Sequence, residues 1–111
     1  MYVLRFSARV EDPFFLPRIL ESISSILEEI KCRSYKRGSW VLGLCGDSVL
    51  VKAYTPLGDT YSPSPGGMPR EIVLVLESEN PGKAYNTAVY VIEALTRDYK
   101  GVVGIVVREQ G

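Results

Sequence analysis

The stretch KCRSYKRGSW contains the densest group of residues that could bind an anionic ligand. It combines four cations with two aromatic rings: Lys31, Arg33, Tyr35, Lys36, Arg37 and Trp40. Single-stranded nucleic acid is bound by this combination, because cations contact its phosphates and rings stack on its bases. A solvated helix C-terminus followed by a packed strand residue is the structural alternative. The stretch therefore makes RNA the first candidate ligand.

Two further groups could bind an anion. A loop from about residue 55 to 70 contains prolines 63, 65 and 69 and glycines 66 and 67, so its backbone N–H groups could face an anion beside Lys52 or Arg70. The stretch ENPGKAYN places Gly82 and Lys83 at a helix N-terminus, where free N–H groups favour negative charge. Neither has the spacing of a phosphate-binding loop. A connecting loop and a proline at the first helical position are the structural alternatives.

Histidine is absent, which excludes serine–histidine and cysteine–histidine catalysis and removes the commonest zinc ligand. The remaining acid, base or nucleophilic groups are Asp47, Asp59, Glu77, Glu79, Lys52, Tyr54 and Cys45. An enzyme built from them would use Lys52 and a nearby carboxylate. No spacing requires such a site, so the sequence predicts no catalytic residue, cofactor or metal site. Cys32 and Cys45 form no CxxC pair and are predicted to be buried free thiols.

The hydrophobic pattern predicts the elements that position these residues. Residues 2 to 10 alternate as a half-buried strand, and an apolar stripe from Leu16 to Ile30 predicts a helix that begins near Pro13 or Pro17. Residues 40–45 and 49–54 predict a hairpin turning over residues 46–48. Residues 72–76 predict a central strand. A helix capped by Asn80 and a final strand from 102 to 107 follow.

The predicted order is β-α-β-β-β-α-β, with residues 31–39 as a connection. This order indicates one α+β domain over residues 1–111, a ferredoxin-like two-layer sandwich with a mobile loop at about 55–70. Right-handed crossovers would place both helices on one face of a mainly antiparallel sheet. The other face would then be apolar in part, which predicts a homodimer or a subunit of a complex.

The overall composition limits the setting of such a protein. The net charge is zero, so binding of nucleic acid would depend on a local patch. No apolar run is long enough to span a membrane, and Arg5 and Arg9 interrupt any N-terminal signal, so we expect a cytoplasmic protein with no membrane partner. Asparagine and glutamine are scarce, which favours a heat-adapted source.

The stretch VEDPFFLPRILESIS is similar to the strand-to-helix junction of ACT-type amino-acid sensors, where an acidic residue and a Pro-Gly pair lead into a leucine-rich helix. Phe14 stands where that family has its glycine, and no family is assigned from these fifteen or so residues.

From the apolar sheet face and the basic stretch we expect a non-catalytic homodimer or complex subunit that binds RNA. The alternative is a sensor that binds a metabolite at a dimer seam.

Overall fold

The computed structural model describes residues 1–46, 48–55 and 71–109. Their elements follow in chain order: β1 (Tyr2–Val10), a 3-10 turn (Pro13–Phe15), α1 (Leu16–Glu29), β2 (Arg33–Arg37), β3 (Trp40–Cys45), β4 (Val49–Tyr54), β5 (Glu71–Ser78), α2 (Pro81–Asp98) and β6 (Val103–Glu109). The predicted loop at 55–70 lies outside the described residues except for Thr55. No helix in the described ranges is both long and apolar enough to cross a membrane.

The six strands form one sheet in the order β2-β3-β4-β5-β1-β6, and every neighbouring pair is antiparallel. Helix α1 packs against β2, β3, β4 and β5, and α2 packs against β5, β1 and β6, while the two helices contact each other. The predicted ferredoxin-like α+β class is confirmed. The predicted order is wrong by one strand, because β2 precedes the hairpin.

Strand β2 was predicted to be a connection because its residues are almost all polar. It pairs with β3 from Arg33 opposite Leu44 to Arg37 opposite Trp40, across a two-residue turn in which Gly38 has a φ of +59°. Glycine is suited to this conformation because it has no Cβ. An edge strand exposes most of its side chains, so it does not need the apolar alternation that marks a buried strand.

Side-chain hydrogen bonds and prolines mark the starts of both helices. Asp12 Oδ1 accepts a hydrogen bond from the Phe14 N–H at 3.0 Å and fixes the 3-10 turn, and α1 then begins at Leu16 with Pro17 in its first turn. Both predicted starting points therefore have a structural counterpart. Asn80 Oδ1 accepts from the Lys83 N–H at 3.2 Å and caps α2, as predicted.

The core lies between the helices and one face of the sheet. Leu4, Phe6, Ala8 and Val10 of β1 are all buried, as are alternate residues of the neighbouring strands. Their partners across the ladders share this face, because directly opposed residues of antiparallel strands project to the same side. The intervening residues project to the other side, which we call the open face.

The two cysteines form a disulfide, so the prediction of free thiols is wrong. Cys32 and Cys45 have Cα atoms 4.1 Å apart and stand 13 positions apart in the sequence. The register that pairs Arg33 with Leu44 places Cys32 directly opposite Cys45 at the open end of the β2–β3 hairpin. Once β2 is a strand, the two thiols are neighbours, and a disulfide requires only that they meet oxidising conditions.

Candidate nucleic-acid interface

Alternation in β2 divides the basic stretch between two sides of the sheet. Arg33, Tyr35 and Arg37 oppose Leu44, Leu42 and Trp40 of β3, and these oppose Leu50, Lys52 and Tyr54 of β4. All nine residues therefore share the open face. Four of the six predicted nucleic-acid-binding residues lie together on that face: Arg33, Tyr35, Arg37 and Trp40.

The open face presents aromatic rings to solvent. Tyr35 is 54% exposed and Trp40 is 51% exposed. Trp40 stacks on Tyr54 of the neighbouring strand, with ring centroids 4.7 Å apart and planes inclined by 20°. The tyrosine supports one side of the indole, so Trp40 is held in place while much of its surface stays accessible.

Two cations from other strands adjoin these rings. Arg5 of β1 donates from Nη2 to the Tyr54 hydroxyl at 3.4 Å, and Arg5 is linked to Lys52 through Val75 in the ladder. Lys52 Nζ lies 2.7 Å from Glu77 Oε2. The pairing of Lys52 with a carboxylate, which an enzyme would need, is therefore present as an ion pair on the open face. This pair neutralises Lys52 in part and leaves the arginines as the stronger phosphate ligands.

The other predicted candidates lie elsewhere. Lys36 projects opposite Val41, on the helix side of the edge strand, and Lys31 lies in the turn after α1 with a φ of +68°. Gly82 and Lys83 begin α2, which packs on the helix side, away from Lys52. The N–H group of Lys83 is already bonded to the Asn80 side chain, so this helix start offers one donor fewer to an anion. Arg70 lies outside the described residues.

Sequence reasoning missed Arg5 and Tyr54 as parts of the interface. The sequence pattern assigns Tyr54 only to the acid–base candidates and Arg5 only to the charges of the N-terminal segment. The signal was available in the hairpin, because a turn over residues 46–48 places Tyr54 opposite Trp40. Arg5 could be found only with the strand order, since β1 and β4 are joined through β5.

The described residues offer few other sites. Among them, no group of three or more acidic or cysteine side chains is arranged to hold a metal ion. A groove of about 430 Å³ is lined by residues 9–11 and 101–104, including Arg9 and Glu11. Its lining brings together one cation and one anion, which gives it no clear ligand preference.

The comparisons with known proteins identify the fold. No protein-family model matches the chain. No curated protein matches it either. Among solved structures, the chain is similar to the solution NMR structure of a de novo designed protein with a ferredoxin fold, with a TM-score of 0.58 and 9% identity over 99% of this chain and 88% of that one. This likeness shows the ferredoxin fold and carries no function with it.

Proposed function

We propose that this chain is a non-catalytic binding protein whose open face binds single-stranded RNA. The observation that carries the proposal is the grouping of Trp40 and Tyr35, both about half exposed, with Arg33 and Arg37 on one side of the sheet. A base stacks on an exposed ring, and an arginine contacts the adjacent phosphate through several donors. A duplex hides its base faces, so exposed rings favour a single strand.

Because the net charge of the chain is zero, its affinity for RNA depends on the local arrangement of cations and rings on the open face. With no overall field, affinity must arise from the arginines of the open face and from stacking. Each phosphate contact to a single strand contributes about 0.7 to the slope of log affinity against log salt concentration. The proposal therefore predicts both a salt dependence and its reduction by defined substitutions.

The test is fluorescence anisotropy with a labelled single-stranded RNA of about twelve nucleotides, long enough to span a sheet of this size. Arg33→Ala with Arg37→Ala should reduce the salt slope by about 1.4. Lys36→Ala is the matched control, because it removes a cation from the same strand but from the other side of the sheet. A salt-independent affinity, or an equal loss in the control, would count against the proposal.

A second readout uses the single tryptophan of the chain. If a base stacks on Trp40, its fluorescence falls in proportion to the bound fraction, and Trp40→Leu weakens binding by about 1–3 kcal/mol. The control is addition of buffer with the same salt concentration and no RNA. Equal quenching of Trp40 by this buffer would show that the fluorescence change does not report RNA binding. Trp40→Phe keeps an aromatic surface and should retain part of the affinity.

Self-association through the open face is the second candidate, because the same face also contains exposed apolar groups. Leu44 and Val106 are each 39% exposed, and Val3, Leu42, Leu50 and Val75 are partly buried there. A homodimer would cover Trp40, so the two functions compete for one surface. Sedimentation at micromolar concentration distinguishes them: RNA should dissociate a dimer formed by this face.

A sensor that binds a metabolite at the dimer seam is a further alternative. Its melting temperature would rise with the concentration of the metabolite.

We also propose that the protein is cytoplasmic and comes from a heat-adapted organism. Cytosolic disulfides are rare in mesophiles and frequent in hyperthermophiles. The Cys32–Cys45 disulfide and the scarcity of asparagine and glutamine therefore fit the same source. A melting temperature in the range of mesophilic domains, about 45–65 °C, would argue against it.

A further inference from the structure

Strand β2 is weakly held in the sheet, although it carries three residues of the proposed interface. In the sheet of the described residues it lies at the edge, with β3 as its neighbour. Four of its five residues are exposed, and the fifth, Ser34, is partly buried. Although α1 packs against it, such a strand gains little from burial of its own side chains, which gives it low local stability.

The disulfide closes the open end of this hairpin. Cys32 immediately precedes β2 and is 6% exposed, whereas Cys45 ends β3 and is partly exposed. At the other end, the Gly38–Ser39 turn joins the two strands. The disulfide and the turn thus hold β2 against β3 from both ends.

Besides the packing of α1 against β2, two hydrogen bonds anchor the strand and the residue before it. The Ser24 hydroxyl of α1 hydrogen-bonds to the Ser34 hydroxyl, and the Cys32 N–H donates to Leu27 O at 3.0 Å. The second bond fixes the chain before β2, not the strand itself. Without the disulfide, the ladder to β3, one side-chain hydrogen bond and the packing of α1 against the exposed strand remain.

We propose that the Cys32–Cys45 disulfide is a redox-controlled clamp on β2. A thiolate of a dithiol reductant attacks the more exposed Cys45 sulfur, breaks the S–S bond and forms a mixed disulfide, and Cys32 leaves as a thiolate that takes up a proton. The second thiol of the reductant then displaces Cys45 as a thiol. The reductant ends as an intramolecular disulfide, and both cysteines are reduced.

Reduction releases β2 while the rest of the fold remains. Residues 31–39 then become a connection between α1 and β3, and Arg33, Tyr35 and Arg37 leave the open face. Trp40, Tyr54 and Arg5 stay in place because they belong to inner strands. The consequence for RNA rests on the proposed function; the release of β2 does not.

Amide hydrogen exchange of the oxidised and reduced protein tests the clamp directly. Reduction should accelerate exchange in residues 33–37 about tenfold more than in β1 and β5, whose amides respond only to the accompanying loss of global stability. The variant Cys32→Ser with Cys45→Ser should resemble the reduced protein and ignore the reductant. Unchanged exchange in β2, equal acceleration throughout the sheet, or a variant that behaves like the oxidised protein would each overturn the clamp.

RNA affinity tests the regulatory consequence. The oxidised protein should bind the labelled RNA about tenfold more tightly than the reduced protein, because two phosphate ligands and one stacking ring are lost. Equal affinities after β2 has been released would overturn the regulation. If the oxidised protein does not bind RNA at low salt, the proposed function fails, and the exchange pattern still decides the clamp.

Discussion

Substitution of Gly43 by alanine should destabilise the fold, because α1 approaches β3 closely at this position. A Cβ on Gly43 would lie 2.7 Å from Leu27 Cδ1 and 3.5 Å from Val51 Cβ. Leu27 and Val51 are both fully buried, so the leucine cannot swing into solvent and the helix or strand must shift. Overpacking of this kind costs about 1–3 kcal/mol. For a chain of this length, the melting temperature should fall by about 4–13 °C.

Thermal and urea denaturation followed by circular dichroism measure this loss. Gly104→Ala is the matched control, because Gly104 also lies in a strand but a Cβ there has no heavy atom within 4 Å. Its stability should stay within about 0.5 kcal/mol of the parent protein. Equal stability of the Gly43→Ala protein and the control would show that α1 does not pack against β3 at this distance.

Three other predictions concern single features of the fold. Cys32→Ser with Cys45→Ser should lower stability by about 3 kcal/mol, since the disulfide closes a loop between residues 13 positions apart; an unchanged urea midpoint would contradict this. Asn80→Ala should cost about 1 kcal/mol through loss of the α2 cap, whereas Asn80→Asp should retain most of it in the same denaturation assay. The hydrogen bond to Glu29 raises the pKa of Tyr90 above its ordinary 10.0, so its contribution to stability is present below pH 10 and is lost as the pH rises through the raised pKa. NMR titration of the Tyr90 ring should show a lower pKa in Glu29→Gln, and an unchanged pKa would exclude the carboxylate as the cause.

The sequence was sufficient to predict the elements that bury one face. The stripe of α1 and the alternation of β1 and β4 each place apolar side chains at the period of their element, so these elements could be identified without tertiary information. The placement of both helices on one side followed from the handedness of the crossovers. These conclusions depend on local patterns that burial imposes on the sequence.

The missed strand and the missed disulfide have one physical cause. An edge strand such as β2 has little hydrophobic patterning, because packing does not select its side chains. Without β2 there is no strand register that places Cys32 opposite Cys45, so the spacing of the two cysteines does not predict a disulfide. The same omission hid the place of Tyr35 on the face of Trp40 and Tyr54, because that place depends on the pairing of β2 with β3.

The position of β1 between β5 and β6 has a consequence for the order in which this chain folds. Strands β2, β3 and β4 are consecutive hairpins and need only short loop closures, whereas β1 pairs Tyr2 with Ser78 and Leu4 with Glu109. Contacts so distant along the chain require a large loss of chain entropy before the stabilising interactions form. This cost slows the folding of such topologies. The meander can therefore form during synthesis while the first strand still lacks both neighbours. The six-stranded sheet is complete only after residue 109 has left the ribosome.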